Sequence, residues 1–316
     1  MRFLKNPQFK LIDKRKLGFT ISSALLVLSI VSLILHGGPR FGIDFRGGTL
    51  IEIRFEDKNN PQKELAIPIN DVRDVFTQYG LEQSEIKHYG SLQEIAVQID
   101  VAEEIDSELM SNIYQSLESK FPENNVIERR REKVGPKIGS ELVVSAVWSI
   151  LVALLLILIY IMFRFEFRFG VGAVMALFHD VLITLGVFSL IDIEISIPIV
   201  AALLTIIGYS LNDTIVVFDR IRENLKTFKR QASNYASLVN RSVNETLSRT
   251  VVTSGTTLIV VLVLYFFGGE IINDFAFALI LGVIIGTYSS IFVASPLLVE
   301  WEARKSVSTS SKSKRK

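Results

Sequence analysis

Six long apolar segments constrain this 316-residue chain more than any other feature of its sequence. They cover Leu17–Leu35, Leu142–Phe163, Phe169–Ile191, Ile197–Phe218, Val251–Phe267 and Phe275–Val299. About 20 consecutive apolar residues are enough for a helix to cross the hydrocarbon core of a bilayer. The sequence therefore predicts a mainly α-helical membrane protein with six transmembrane helices.

The charged residues between these segments predict the orientation of the chain. Lys and Arg are concentrated in the tail 1–16, the connection 219–250 and the tail 300–316, whereas the links 192–196 and 268–274 contain acidic residues and no Lys or Arg. Positively charged loops stay on the cytoplasmic side. We expect both termini on the cytoplasmic side of the membrane. The alternation favours topology over nucleic-acid binding as the reason for the basic tails, the second of which is predicted to be disordered.

The first apolar segment follows basic residues, as a signal peptide does. Its 19 uncharged residues exceed the roughly 7–15 of a cleavable apolar region, and no A-x-A site follows. We expect this segment to remain as an anchor. The chain has no cysteine, which excludes disulfides and a cysteine nucleophile.

Residues 36–141 are predicted to form an extracytoplasmic (periplasmic) α+β domain. Its first helix has Asn70 as N-cap and ends at Gly80, and its second helix is capped by Ser107. The predicted strands are Thr49–Phe55, Glu85–Tyr89, Glu94–Ile99 and Asn125–Arg130. The order βαββαβ is that of a ferredoxin-like unit with one free sheet face. That face is suited to binding an extended chain or to packing on a neighbour, and both interpretations stay open.

The fourth apolar segment contains an aspartate, Asp213, within its membrane span. A carboxylate in hydrocarbon is costly and normally persists where it moves ions, pairs or lines a wet cavity. Ser210 and Tyr209 lie on the same helical face, three and four residues earlier, and Asn212 and Thr214 flank the aspartate. We infer that this polar face points into the bundle, where Asp213 either couples ion movement or only bonds a neighbouring helix.

Arg249, at the start of the fifth segment, is a candidate partner for Asp213. An arginine in this place is also typical of a positively charged anchor, which the sequence alone favours. The run Thr253–Thr257 contains small and hydroxyl side chains that allow helices to approach closely. Gly282 and Gly286 form a GxxxG pattern in the sixth segment, which predicts tight helix packing rather than a binding site.

His179 and Asp180, in the third segment, are the other titratable residues of the apolar region that we single out. They point about 100° apart on a helix. They either form a second relay or act as a buried polar pair that locks helices together. Nothing resembles a P-loop, a zinc-ligand cluster or a nucleophile elbow, so we expect no metal, no bound cofactor and no enzyme activity.

Several long motifs resemble those of the SecF branch of the SecD/SecF family of protein-export membrane proteins. They are GIDFRGGT from Gly42, GPKIGSEL from Gly135, FHD at 178–180, GYSLNDTIVVFDRIRENL from Gly208 and ETLSRTVVTSGTT from Glu245. The resemblance covers most of the chain. It assigns a family motif to the extracytoplasmic domain, with the residues Gly42, Asp44, Arg46, Gly47 and Gly48.

This resemblance implies a six-helix half of the resistance-nodulation-division (RND) type and a function in export. The expected partners are SecD, the SecYEG channel, other accessory membrane subunits, the translocating preprotein and membrane lipid. The proton gradient would complete translocation after the ATP-driven step, with protons as the coupling ion and sodium as the alternative. Asp213 and Arg249 correspond to family residues that are implicated in proton conduction. This correspondence reverses the preference for Arg249 as an anchor.

The working hypothesis is that protonation of Asp213 cancels an attraction to Arg249 and lets the helices repack. Two other functions remain to be compared with it. One is half of a proton-driven RND-type exporter of small molecules, for which a single domain of about a hundred residues is small. The other is a passive scaffold, which would tolerate the loss of the Asp213 charge.

Overall fold

The computed structural model describes residues 7–60, 65–99, 106–228 and 235–313. The chain divides into two compact units, which we call the membrane unit (residues 1–40 and 148–316) and the α+β domain (residues 41–147). Parts of the predicted tails, of the predicted extracytoplasmic domain and of the connection 219–250 lie outside the described residues.

The helices and strands follow one another in a simple order. In chain order they are α1 (Arg15–Leu35), α2 (Ile43–Arg46), β1 (Gly48–Asp57), α3 (Ile69–Gln78), β2 (Glu85–Tyr89), β3 (Ser91–Ile99), α4 (Ser107–Lys120), β4 (Asn124–Val134), α5 (Pro136–Arg164), α6 (Phe167–Leu190), α7 (Ile197–Phe228), α8 (Tyr235–Phe267), α9 (Glu270–Ser289) and α10 (Ser295–Ser313). A 3₁₀ turn, Ile12–Lys14, precedes α1, and a π-helical turn, Ser290–Ala294, joins α9 to α10.

Six helices of the described residues are long and apolar enough to cross a membrane. They are α1, α5, α6, α7, α8 and the continuous helix formed by α9, the π-helical turn and α10. The predicted architecture, a mainly helical membrane protein with six spans and a small α+β domain, is confirmed. Within the membrane unit, α6, α7 and α9 are the most enclosed, whereas α5 and α8 expose most of their apolar surface.

Helices α7 and α8 are longer than the apolar segments from which they are predicted. They contain 32 and 33 residues, or about 48 and 50 Å, and a hydrocarbon core is about 30 Å thick. The connection predicted for 219–250 is instead mostly helical, because this part of the two helices keeps a buried apolar stripe. The stripe consists of Ile221, Leu238, Val239 and Val243.

The last helix, α10, also extends farther than the sequence predicts. The tail 300–316 is expected to be disordered, but α10 continues as far as Ser313. This part of the chain contains neither Gly nor Pro. No residue in it therefore interrupts the helix strongly.

The α+β domain packs α3 and α4 against a four-stranded sheet of order β2-β3-β1-β4. Every neighbouring pair of strands is antiparallel. Strand β1 alternates buried and half-buried positions, as a strand with a side-chain period of two does. Ile51, Ile53 and Phe55 therefore enter the core, and Glu52 and Arg54 lie on the opposite face. The βαββαβ order confirms the predicted ferredoxin-like unit.

The N-termini of the two domain helices differ from the predicted ones. Pro68 is the N-cap of α3, which has no side-chain cap, and Asn70 already lies inside the helix. Proline suits a helix start because it fixes φ and has no N–H that needs a partner. For α4 the cap is Asp106 rather than Ser107, since the Asp106 carboxylate accepts a hydrogen bond of 2.7 Å from the third helical residue.

Candidate functional site

Asp213 lies in the interior of the membrane unit, where α7 faces α8 and α9. Its side chain is buried. The Ser254 hydroxyl on α8 donates a hydrogen bond of 3.0 Å to Oδ2 of Asp213, and the Thr287 hydroxyl on α9 lies 2.8 Å from the same Ser254 oxygen. The carboxylate is therefore held by a short series of hydroxyl groups from two neighbouring helices.

Two glycines allow α9 to lie directly against α7. A Cβ atom at Gly282 would come within 2.2 Å of the Ile206 side chain, and one at Gly286 within 2.9 Å of the Ser210 side chain. Real Cβ atoms do not approach other atoms this closely, so only glycine fits these positions without movement. The close approach brings Thr287, the residue after Gly286, to the level of Asp213.

Asp180 is the centre of a second polar cluster and has no exposed surface. Its Oδ2 accepts hydrogen bonds from Ser210 on α7 (2.6 Å) and Ser289 on α9 (2.8 Å). Its Oδ1 lies 2.8 Å from Nδ1 of His179. Three side chains thus converge on one buried carboxylate, and two of them belong to other helices.

The polar face of α7 is divided between these two clusters. Ser210 bonds Asp180 and not Asp213. Thr214 is buried, and neither its hydroxyl nor that of Tyr209 has a hydrogen-bond partner among the described residues. Asn212 is exposed. The structure thus places only part of the predicted supporting face beside Asp213.

Arg249 does not form an ion pair with Asp213 in the described part of the chain. Its side chain is exposed, although it is near enough to Asp213 for a Coulomb attraction. Ser254, which does contact Asp213, is five residues farther along α8, so the two side chains leave the helix about 140° apart. The contact of Asp213 with α8 is therefore made by a hydroxyl, and the direct Asp213–Arg249 contact of the working hypothesis is absent among these residues.

Sequence reasoning missed a contact between the N-terminal segment and α8. The Asn244 side chain bonds both backbone groups of Phe9: it accepts from the N–H and donates to the carbonyl, each at 2.8 Å. Asn240 donates to the same carbonyl and accepts from the N–H of Ile12, each at 3.0 Å. The only signal in the sequence is two asparagines at helical spacing, which does not identify their partner. We call residues 7–12 the strap.

In the α+β domain, the motif that begins at Gly42 forms α2 and the turn into β1. Gly47 and Gly48 have φ values of 82° and 129°, which favour glycine. A Cβ atom at Gly48 would lie 2.6 Å from the Ile99 carbonyl oxygen, and one at Gly139 would lie 2.5 Å from that of Phe45. The first turns of α5 therefore pack on the backbone of α2, which brings two of the motifs together. Asp44 is half-buried and Arg46 is exposed.

The sheet face opposite the domain helices is charged. Arg130 pairs with Glu52 at 3.5 Å and also with Glu132. Arg54 lies 3.7 Å from Glu94. Burial raises the pKa of Glu52 above its ordinary value, and the nearby Arg130 partly offsets this. The face on which we expected either an extended chain or a neighbour thus presents paired charges rather than an apolar surface.

No group of three or more His, Cys, Asp or Glu side chains in the described ranges is arranged to hold a metal ion. The buried titratable side chains of the two clusters instead bond mainly hydroxyl groups. Such an arrangement can bind and release a proton without breaking a direct ion pair.

Two family models match this chain. "Protein export membrane protein SecD/SecF, C-terminal" matches residues 113–304, and "SecD/SecF GG Motif" matches residues 32–58. The second range includes the Gly47–Gly48 turn. The first includes α5 to α9 and both carboxylates.

Several relatives are similar over almost their whole length. The protein translocase subunit SecF of Desulfurispirillum indicum is 47% identical, over 96% of this chain and 94% of that protein. The subunit SecF of Rhodothermus marinus is 44% identical, over 96% of each.

A solved structure supports the same relationship. The crystal structure of SecDF from Thermus thermophilus, described as a translocon-associated membrane protein, matches with a TM-score of 0.80 and 39% identity. The match covers 94% of this chain and 39% of that one, so this chain corresponds to about two fifths of the SecDF chain. The fold, the motifs and the full-length similarity agree, and the chain belongs to the SecF family of protein translocase subunits, multi-pass membrane proteins of the SecD/SecF group.

Proposed function

We propose that this chain works with SecD and uses proton movement at Asp213 to drive a late step of preprotein translocation through the SecYEG channel. The observation that carries the proposal is a buried carboxylate held between α7, α8 and α9 by hydroxyl groups. Its place in a membrane span is costly, and a coupling role explains why it is there. The named relatives are protein translocase subunits, so the alternative of a small-molecule exporter is not pursued.

The energy source is the transmembrane proton gradient. One charge that crosses 100 mV of membrane potential releases about 2.3 kcal/mol, which is comparable with the free energy of a few hydrogen bonds. The passage of one proton across the membrane by way of Asp213 therefore supplies enough free energy to change how α7 and α8 pack.

In this mechanism the hydrogen bond from Ser254 to Asp213 takes the role that the working hypothesis gave to an ion pair between Asp213 and Arg249. While Asp213 is ionised, its Oδ2 accepts a hydrogen bond from the Ser254 hydroxyl. When Asp213 takes up a proton, it becomes a hydrogen-bond donor itself and no longer needs a donor from α8. Ser254 and Thr287 can then exchange partners, and α8 is free to move relative to α7. Arg249 acts from the exposed side of α8, where its charge favours the return of Asp213 to the ionised form.

The orientation and the remaining partners complete the proposal. The membrane is a bacterial inner membrane. Both termini lie on its cytoplasmic side, in keeping with the distribution of Lys and Arg. The translocating preprotein and membrane lipid are the other expected partners. Sodium is the alternative coupling ion, since a carboxylate and hydroxyl oxygens also suit that cation.

The experiment compares two substitutions on the same helix. Asp213→Asn keeps the size of the side chain and removes its ability to take up a proton. Asp219→Asn is the matched control, because Asp219 is half-exposed near the end of α7 and pairs with Arg164. We expect gradient-dependent preprotein translocation in membrane vesicles to be lost in the first variant and kept in the second. Normal membrane insertion of Asp213→Asn together with translocation at the wild-type, gradient-dependent rate would refute the proposal.

A further inference from the structure

The second buried cluster, at Asp180 and His179, has the geometry of a proton-binding site in its own right. We propose that Nε2 of His179 accepts a proton, that Asp180 holds the imidazole ready for it, and that Ser210 connects this site to the helix of Asp213. This inference rests on the proposed function, because it takes Asp213 as the first coupling group.

The contact between the two side chains determines the tautomer of His179. Nδ1 lies 2.8 Å from Oδ1 of Asp180, and an ionised carboxylate can only accept a hydrogen bond. Nδ1 therefore carries the hydrogen, and the lone pair is on Nε2. The same use of a carboxylate to orient a histidine as a base is known from Ser-His-Asp triads.

Nε2 of His179 is buried and has no hydrogen-bond partner among the described residues. The side chain as a whole is buried. A buried nitrogen without a partner is unusual and needs an explanation. A proton acceptor that is open in one state of a transport cycle provides one.

The charge of the pair makes proton uptake at this depth feasible. With neutral His179 and ionised Asp180 the pair carries one negative charge, which the hydroxyls of Ser210 and Ser289 stabilise. A proton on Nε2 converts the pair into an imidazolium–carboxylate contact with no net charge. The protonated state thus places no uncompensated cation in the apolar interior, which is the costly arrangement in a membrane.

The groups that face the pair come from α7 and α9, and one of them also contacts α1. Tyr288 on α9 stacks on the His179 ring, with 6.3 Å between ring centroids, and its hydroxyl donates to the Gly18 carbonyl of α1 at 2.8 Å. Ser210 and Ser289 complete the set from α7 and α9. Among these described contacts Tyr288 is the one other titratable group. A change of charge at His179 is therefore transmitted to α1, α7 and α9.

The backbone beside this site departs from a regular α-helix. Ser289 immediately precedes the π-helical turn Ser290–Ala294, a wider turn that is frequent at functional sites. Ser295 donates to the carbonyl of Ser290 at 2.7 Å, so a side chain meets one of the backbone acceptors of the turn.

Ser210 links the two sites because it lies one turn before Asp213 on α7. Its bond to Asp180 holds this face of α7 against α6, and Asp213 on the next turn of the same helix bonds Ser254. When His179 is charged, Asp180 is shared between the imidazolium and the hydroxyls, and the bond to Ser210 weakens. Proton uptake at His179 therefore changes how α7, and with it Asp213, is held.

The first test measures the tautomer of His179 without any transport assay. The chain has three histidines, so His36→Gln combined with His88→Gln leaves His179 as the only histidine signal. We expect ¹⁵N NMR of the full chain in lipid nanodiscs to show the Nδ1–H tautomer of neutral His179. An Nε2–H tautomer would overturn the inference.

The second test asks whether the proton on Nε2 is used. His179→Asn retains a side-chain N–H that can donate to Asp180 but has no group that takes up a proton. We expect its gradient-dependent translocation in vesicles that contain SecD to fall about tenfold or more, with a changed pH profile. A rate and a pH profile equal to wild type would mean that His179 only packs, and would overturn the inference.

Two companion variants separate the possible failures. Asp213→Asn is assayed in the same vesicles: if it loses gradient-dependent translocation while His179→Asn does not, the second site is refuted and the proposed function stands. If Asp213→Asn behaves as wild type, the proposed function itself fails. Ser210→Ala keeps all titratable groups and removes the link, so we expect a lower translocation rate while His179 keeps the Nδ1–H tautomer in the NMR measurement. A wild-type rate in this variant would exclude Ser210 as the connection.

Discussion

The α+β domain and the membrane unit place their charged groups in opposite ways. The domain has a core of Ile, Val, Leu, Phe and Met side chains, and its ion pairs lie on the outside. The membrane unit exposes large apolar side chains such as Leu155 and Ile259 and buries Asp180, Asp213 and His179. The domain exposes charged groups, which water solvates, and the membrane unit exposes apolar groups, which lipid solvates. The comparison teaches that, in the membrane unit, a polar interior marks the part of the molecule where chemistry can occur.

The partners of the charges differ as well. On the domain sheet, Glu52 faces an arginine, whereas Asp180 and Asp213 accept hydrogen bonds from serine hydroxyls. Removing one charge from a close ion pair leaves the other charge unpaired, which is costly when the remaining charge is buried. A hydroxyl can turn from donor to acceptor. Asp213 can therefore change its protonation state at a lower cost than a carboxylate in an ion pair.

The largest expected effect concerns the apolar core of the domain. Phe76→Ala removes a fully buried ring and should lower the free energy of unfolding of the domain by about 3–5 kcal/mol. Hydrogen exchange of the full chain in nanodiscs should show faster exchange in residues 41–147 and no change in 148–228. Leu92→Ala is the matched control, since this side chain is 59% exposed. Equal effects of the two substitutions would contradict the division into a core and a surface.

The next effect concerns helix packing in the membrane unit. Gly282→Val directs a branched side chain into Ile206 and should destabilise the α7–α9 contact by about 1–3 kcal/mol. The measurement is the midpoint of thermal unfolding in detergent. Gly255→Ala serves as control because a Cβ atom there has no neighbour within 4 Å. If both variants unfold at the wild-type temperature, close packing at Gly282 is not needed.

A smaller effect is expected where the membrane unit uses amide hydrogen bonds. Asn244→Ala removes two bonds to the backbone of Phe9, each worth about 1 kcal/mol. The strap should then be cleaved faster by an added protease while the spans remain intact. Asn212→Ala, at an exposed asparagine of α7, should leave cleavage unchanged. Cleavage of both variants at the wild-type rate would show that the asparagine contacts do not retain the strap.

The smallest effect is a dependence of domain stability on pH. Because burial raises the pKa of Glu52, the folded domain binds this proton more tightly than the unfolded chain does. The stabilisation is present below the ordinary carboxyl pKa and is lost as the pH rises through the raised value. Glu52→Gln should therefore flatten the decline of domain stability above about pH 4.5, by less than about 1 kcal/mol. Chemical denaturation at several pH values checks this, and parallel curves for wild type and variant would contradict it.

The sequence was sufficient to predict the spans and the domain order, and the reasons are local. An apolar segment of membrane length has few alternatives to a helix, and the strand and helix patterns of the domain repeat every two or 3.6 residues. The aspartate in α7 was also identifiable, because any charge in such a segment is exceptional. These features depend on single segments and do not require knowledge of which helices are neighbours.

What could not be predicted depends on neighbours that are distant in the chain. The bonds of Ser210 and Ser289 to Asp180 join residues 30 and 109 positions apart, and hydropathy does not report such pairs. Arg249 is next to the buried Thr250, yet one residue along a helix turns a side chain by about 100° and places it on the exposed side. The helix ends were misplaced for a similar reason, since burial of a few apolar residues continues α7 and α8 after the hydropathy falls.

The strap has a consequence for how its sequence can vary. Among the described residues, Asn240 and Asn244 bond backbone atoms only, so they recognise the course of the chain and not its side chains. Position 9 should accept almost any amino acid except proline, which lacks the N–H that Asn244 requires. Position 12 is more restricted, since Ile12 is fully buried as well as bonded through its N–H. Among homologues we therefore expect the two asparagines to be retained together while the segment they hold diverges.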